Sequence, residues 1–338
     1  MHLEAPFWWY RDKGVLGSAL SPLGALYGRI SGARMAREPL YRSRLPVLCI
    51  GNFTAGGGGK TPTAIAVARL LMAVGKRPCF LTRGYGGNIE GSAFVSKGQH
   101  AADAGDEPLL LAEVAPVMVS ADRAEGARAI EATEVDVIVM DDGFQNPGLF
   151  KDLSLIVVDA SSGLGNGLVM PAGPLRAPLD SQMPRASALL IIGEGGKAVH
   201  LIAAFESAGK PVLKAKIEAD CDSRWLGVLP VIGFAGIARP DKFFATLRAN
   251  GARLIDSRGF PDHHRYTERE ACHLLAAADA QKAMLVTTAK DWARLPDERE
   301  TPLGKLKHRA RPFPIVLKFE DEAKVRELLA AATDKQQT

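Results

Sequence analysis

Residues 54–61 read Thr54-Ala55-Gly56-Gly57-Gly58-Gly59-Lys60-Thr61, and they restrict the possible folds more than any other stretch of the chain. The run follows the apolar segment Val47–Ile50 and opens the helical pattern Pro62–Val74. Strand, glycine-rich loop and helix in that order make a phosphate-binding loop, or P-loop. The glycines let successive backbone N–H groups turn inward around phosphate oxygens, and the helix N-terminus adds a favourable dipole. In such a loop Lys60 reaches the β- and γ-phosphates of a nucleotide, and the Thr61 hydroxyl binds Mg²⁺. Pro62 suits the first helical turn, where its missing N–H is no loss. The pattern GxxxxGK[ST] is broken once, because Thr54 stands at the first glycine position.

Val137-Ile138-Val139-Met140-Asp141-Asp142 reads as the acidic strand end that accompanies such a loop. A carboxylate there holds the Mg²⁺ shell or orients a reacting group. A guanine-specifying Asn-Lys-x-Asp is absent, and Thr288-Ala289-Lys290-Asp291 has its Lys and Asp adjacent. ATP is therefore favoured over GTP.

Short apolar runs alternate with amphipathic stretches. Val47–Ile50, Cys79–Thr82, Val117–Ser120, Val135–Met140, Leu153–Val158 and Ala188–Ile192 are expected strands; Pro62–Val74, Arg123–Ala132 and Ala198–Ser207 are expected helices. This pattern predicts an α/β fold, with a mostly parallel sheet of P-loop NTPase type flanked by helices. A second, smaller α/β domain is expected at 228–312, with strands Val231–Phe234, Arg253–Asp256 and Met284–Thr287. Val212–Ile217 and Ile315–Phe319 are expected to pair as a two-stranded connector. The whole is then an N-terminal helix and lead-in at 1–45, a P-loop core at 46–222, the smaller domain, and a strand and helix at 313–332 that return to the core.

With 47% apolar and 24% charged residues among 338, the chain is not a disordered one. A net charge of +4 is too small to argue for nucleic acid, and none is expected as a partner. Cys49, Cys79, Cys221 and Cys272 fit no zinc spacing and read as buried thiols in a reducing compartment. No stretch reaches the roughly 20 apolar residues that span a bilayer, and no signal-peptide pattern is present. A cytoplasmic protein is the default, which the N-terminus qualifies. Phe7-Trp8-Trp9-Tyr10 precedes Leu16, Leu20, Leu23, Tyr27 and Ile30, one apolar face of an amphipathic helix. Basic residues from Arg11 to Arg44 outnumber acidic ones around it. Such a segment suits an anionic membrane surface, or equally a helix packed on its own domain.

Further polar groups follow the expected strand ends, where α/β sheets place their ligands. They are Thr82-Arg83-Gly84-Tyr85, Gly105-Asp106-Glu107-Pro108 before an expected helix from Leu109, Asp142-Gly143-Phe144-Gln145, Pro171-Ala172-Gly173-Pro174-Leu175-Arg176, and Asp262-His263-His264, which is expected to begin a helix. Together with Gly51–Pro62 and Thr288–Asp291, these stretches resemble, in order and over nearly the whole chain, the motifs of the tetraacyldisaccharide 4'-kinase family of Gram-negative bacteria. One departure is Ala177, where the family often has Glu after Leu-Arg.

The resemblance implies transfer of the γ-phosphoryl group of ATP to the 4'-hydroxyl of a tetraacylated glucosamine disaccharide 1-phosphate, a step of lipid A biosynthesis. It implies a peripheral, monotopic location at the cytoplasmic face of the inner membrane, and no protein partner. Asp106 is similar to the family's base and His263 to its partner, supplied from the second domain. Lys60 completes the catalytic set, and Thr54, Ala55, Gly56, Gly57, Gly58, Gly59, Lys60 and Thr61 would hold the nucleotide. Thr61, Glu107 and Asp141 are candidate Mg²⁺ contacts; Arg83, Tyr85, Asp142, Gln145 and Arg176 are candidates for the disaccharide and its 1-phosphate. Two rival readings are a regulatory or targeting ATPase and a soluble sugar kinase. The first usually carries Lys where Ala55 stands, and the Phe7–Ile30 segment argues against the second.

Overall fold

The computed structural model describes residues 6–11, 14–56, 58–84, 87–89, 91–96 and 101–334. The first part of the chain runs through α1 (Val15–Met35), β1 (Val47–Gly51), α2 (Lys60–Ala73), β2 (Pro78–Thr82), β3 (Ser92–Phe94), α3 (Ala101–Ala104), α4 (Asp106–Ala112), β4 (Val117–Ser120), α5 (Arg123–Glu131) and β5 (Val137–Asp141). Then come β6 (Leu153–Asp159), α6 (Leu179–Gln182), β7 (Ala188–Ile192), α7 (Val199–Ser207) and β8 (Val212–Ala219). The remainder forms β9 (Val231–Ala235), α8 (Pro240–Ala249), β10 (Leu254–Gly259), α9 (Glu268–Gln281), β11 (Met284–Thr288), α10 (Ala289–Arg294), α11 (Pro302–Arg309), β12 (Ala310–Phe313), β13 (Ile315–Phe319) and α12 (Glu322–Thr333).

The larger sheet has nine strands in the order β13-β8-β7-β6-β1-β5-β2-β4-β3. Its strands are parallel from β8 to β4, and only the two edges, β13 and β3, run antiparallel. Alternate residues of β1 feed opposite layers: Leu48 and Ile50 pack with Val67 and Leu71 of α2, Val47 and Cys49 with Phe53 and Ile130. Both faces are buried, so the strands read as continuous apolar runs. The smaller sheet, β10-β9-β11-β12, is wholly parallel. The α/β class and mostly parallel sheet expected from the alternation are thus observed.

Some expectations change. Val212–Ile217 and Ile315–Phe319 do pair antiparallel, but not as a free connector: β8 also pairs with β7, so both extend the larger sheet. Leu317, Val325 and Leu329 join its core. The helix expected from Leu109 starts at Asp106. Asp262-His263-His264 does not begin a helix, because α9 starts at Glu268 behind the capping box of Thr267 and Glu270. The short elements β3, α11 and β12 had no expectation, being too brief for a clear period.

The N-terminal helix turns glycines inward and leucines outward. Gly17, Gly24 and Gly28 are buried, and a Cβ on Gly24 would lie 2.7 Å from the Val169 carbonyl oxygen. Leu16, Leu23, Leu26, Tyr27 and Ile30 remain exposed. Phe7–Tyr10 is a separate 3₁₀ turn. Trp9 is buried there and its indole Nε1 donates to the Pro171 carbonyl at 3.0 Å. Trp9 therefore does not share the exposed face of α1. Among the described residues no helix is long and apolar enough to cross a membrane.

Candidate active site

The glycine-rich loop leaves the C-terminal end of β1, in the middle of the larger sheet. Asn52 is buried, and its Nδ2 donates to the Gly56 carbonyl at 3.3 Å. Gly59 has φ 86°, and a Cβ there would meet Ile192 Cδ1 at 2.6 Å, so only glycine fits. The outer side of the loop is tied to the Pro171–Arg176 segment: the Ala55 N–H donates to Pro174 O at 2.8 Å and the Arg176 N–H to Phe53 O at 2.9 Å. Thr54 bridges to Leu175. Gly57 lies outside the described residues, as does Tyr85.

Asp141 and Asp142 end the neighbouring strand. The Thr61 hydroxyl donates to Asp141 Oδ2 at 3.3 Å, while Asp141 Oδ1 is buried with no hydrogen-bond partner among the described residues. Burial, with the negative charges of Glu107 and Asp142 added, pushes the Asp141 carboxyl up to about 7. A buried, unpartnered carboxylate oxygen beside a threonine hydroxyl fits a hard cation, and Mg²⁺ takes few protein ligands besides phosphate and water. Asp142 sits in the left-handed region at φ 51°. Lys60 Nζ lies 3.7 Å from its Oδ1, and Arg176 grips it with both Nη atoms at 2.9 and 3.1 Å. Burial opposes ionisation of Asp142, but the charges of Lys60 and Arg176 outweigh it and bring the carboxyl down to about 2. Arg176 Nη1 also donates to Gln145 Oε1 at 3.3 Å, and Gln145 Nε2 donates to Asn52 O at 2.7 Å. Asp142, Gln145 and Arg176 thus brace one another and the approach to the loop. Arg83 is exposed.

Across from this loop, α4 begins with Asp106 and Glu107, and the smaller sheet supplies their partners. His263 Nδ1 lies 3.0 Å from Asp106 Oδ2. Arg294 Nε donates to the same oxygen at 2.7 Å. Lys290 Nζ donates to Glu107 Oε1 at 2.8 Å. Burial works against an ionised Asp106, but the His263 hydrogen bond and the Arg294 charge hold its carboxyl well below the usual range. Glu107 is likewise lowered against its burial by Lys290, with a contribution from Lys60 that ties this acidic pair to the phosphate loop. His263 has φ 58°. Non-glycine residues in this region are uncommon, and they concentrate at functional sites. His264 faces away: its Nε2 lies 3.0 Å from Glu270 Oε2, and its ring stacks on Phe260.

Three charged residues at the site were given no role from sequence, although Lys290 lies in the Thr288–Asp291 stretch of the family resemblance. Lys290 and Arg294 occupy one face of α10, and their spacing of four is the signal that was available. Arg123, at the start of α5, is buried with its Nε unpartnered among the described residues, within electrostatic reach of Asp141 and Asp142. A cation at a helix N-terminus opposes the dipole, which marks it as unusual.

A phosphate loop in mid-sheet, an acidic strand end beside it and a carboxylate–histidine pair facing it define a P-loop phosphotransferase. The family model described as tetraacyldisaccharide-1-P 4'-kinase matches residues 16–334. The chain belongs to this family. A tetraacyldisaccharide 4'-kinase of Methylorubrum extorquens is 48% identical over 330 residues, covering 96% of this chain and 97% of the relative. One from Bradyrhizobium diazoefficiens is 44% identical over 330 residues, covering 97% and 96%. A crystal structure of LpxK from Aquifex aeolicus in complex with ATP superposes with a TM-score of 0.71 at 28% identity, covering 94% of this chain and all of that one.

Proposed function

We propose that the chain transfers the γ-phosphoryl group of ATP to the 4'-hydroxyl of a tetraacylated disaccharide 1-phosphate. The observation that carries this reading is the Asp106–His263 pair at 3.0 Å, next to Glu107, which lies within electrostatic reach of Lys60 of the phosphate loop. Asp106 takes the acceptor proton as general base, and His263 orients it. The acceptor oxygen then bonds to the γ-phosphorus, and the bond to the β–γ bridging oxygen breaks, its electron pair leaving on ADP. Lys60 neutralises charge on the transferred group. Loop N–H groups from Thr54 to Thr61 cradle the phosphates. Thr61 and Asp141 would hold Mg²⁺, with Glu107 facing them; when bound, the ion neutralises phosphate oxygens and aligns them. Arg83, Tyr85, Asp142, Gln145 and Arg176 would recognise the disaccharide and its 1-phosphate; Asp142, Gln145 and Arg176 act as a preassembled unit because they are already bonded to one another.

The enzyme works as a peripheral protein on an anionic membrane at the cytoplasmic face of the inner membrane. What supports this is the exposed row Leu16, Leu23, Leu26, Tyr27 and Ile30, flanked by the exposed Arg29, Arg34 and Arg37. The test is incubation with γ-labelled ATP, tetraacyldisaccharide 1-phosphate in anionic vesicles and soluble glucosamine together. Label in the lipid is expected. Label only in free phosphate would favour a switch ATPase, and label only in a soluble sugar would favour a soluble kinase.

A further inference from the structure

Arg294 has no part in the roles assigned above. Its side chain is buried, 6% exposed. Nε donates to Asp106 Oδ2 at 2.7 Å; Nη2 lies 2.6 Å from the same oxygen as an ion pair but makes no hydrogen bond among the described residues. Nη1 is anchored in the smaller sheet's own framework, donating to Gly236 O at 2.7 Å and to Asp291 Oδ1 at 2.8 Å. Asp291 is fully buried and held in turn by the Gly236 N–H at 3.0 Å, the Tyr266 hydroxyl at 3.1 Å and the Thr288 hydroxyl at 2.6 Å. One edge of a planar guanidinium is therefore locked to Gly236 just after β9 and to Asp291, which is itself held from the end of β11 and from the turn before α9, and the other edge rests on the carboxylate that opens α4. His263 also approaches Oδ2. Among the described residues every hydrogen bond to the Asp106 carboxylate ends on Oδ2, and none on Oδ1.

We infer that Arg294 is a positioning residue for phosphoryl transfer: its anchored guanidinium pins Oδ2 of Asp106 through Nε and so aims Oδ1 at the acceptor hydroxyl. This rests on the reading of Asp106 as the base. A carboxylate rotates readily about its last torsion, and two donors from different elements on one oxygen remove that freedom. Orientation of this kind acts on the turnover step rather than on ground-state binding. Because Asp106 starts α4 and Arg294 ends α10, the aim of the base depends on the contact between these two helices.

The test is a double-mutant cycle on kcat. Arg294→Gln is made in the wild-type enzyme and in Asp106→Asn, with Arg294→Lys alongside. In the wild-type background Arg294→Gln is expected to lower kcat by about tenfold or more, with both KM values within about twofold. In Asp106→Asn it is expected to cost almost nothing further, since there is no base left to aim. Arg294→Lys should recover part of kcat, because it restores the charge but not the fork. Equal fold-losses in both backgrounds would overturn the inference while leaving the base reading intact, for the residue would then act through packing. Near-wild-type kcat in Asp106→Asn would overturn both. If Arg294→Gln loses its thermal transition, Arg294→Lys carries the same cycle and the same outcomes decide.

Discussion

On the phosphate side of the cleft the chain is contiguous. The stretch from Asn52 to Gly59 joins β1 directly to α2, which opens with Lys60 and Thr61, and it is braced from outside by Pro174 and Arg176. On the acid side, Asp106 and Glu107 meet His263, Lys290 and Arg294 across sequence separations of 157, 183 and 188 residues. The first half is fixed by local geometry: an α2 N-terminus and the positive φ of Gly56 and Gly59. The second exists only where two sheets dock. If Asp106 is the base, its setting depends on contacts between distant parts of the chain, whereas the phosphate loop depends on its own neighbours in sequence.

The largest expected effect breaks the phosphate side. Lys60→Ala should reduce kcat by about a thousandfold with an unchanged thermal transition, since it removes charge stabilisation without touching the core. Steady-state kinetics at saturating ATP checks this, and near-wild-type turnover would sink the phosphate-loop assignment.

Next comes the acid side. Asp106→Asn should lower kcat by about a hundredfold and His263→Ala by more than about tenfold, with nucleotide affinity little changed. If the two act as one unit, the double variant loses less than the product of the singles. Strictly multiplicative losses would separate them. A collapse of nucleotide affinity in Asp106→Asn would move that carboxylate to the phosphate side.

Thr61→Ala is expected to be milder, about tenfold in turnover, and to be partly restored by raising Mg²⁺, because Asp141 still offers a carboxylate to the ion. A Mg²⁺ titration that leaves the variant unmoved would argue that the Thr61–Asp141 contact is structural only.

The smallest effect on chemistry comes from α1. Leu23, Leu26 and Ile30 are exposed, so changing all three to Ser should leave Tm within about 2 °C. Binding to anionic vesicles, measured by flotation, should weaken by at least about tenfold. Turnover of a short-chain acceptor should change less than about twofold. Trp9→Ser makes the contrast, since that ring is buried against Pro171 and its loss should lower Tm. A drop in Tm for the leucine variant would place those side chains in the protein rather than in lipid.

How much could be read in advance follows the same division. Strand–loop–helix around Gly56–Thr61 was legible because phosphate chemistry needs glycines, Lys and Thr at fixed neighbouring positions. The parallel sheet was legible because Val137–Met140 and Leu155–Val158 are apolar without alternation. Asp106 and His263 were named through family resemblance, not spacing, since nothing local links a helix start with a distant turn. Arg294 and Arg123 stayed hidden for that reason: a charged residue on a helix reads as surface until its partner is known. The glycine face of α1 was read past because hydrophobic periodicity marks apolar side chains, whereas here close backbone approach does the packing.

The sequence by itself determined the local machinery, namely a phosphate loop, an acidic strand end and an α/β chain, because each rests on residues within one or two turns of each other. Only the tertiary structure decided which oxygen of Asp106 is held, that Arg176 is already committed to Asp142, and that Trp9 faces inward while Leu23 and Leu26 face out. The physical reason is that burial and charge pairing are properties of what surrounds a side chain, and for these residues the surroundings come from parts of the chain far away in sequence.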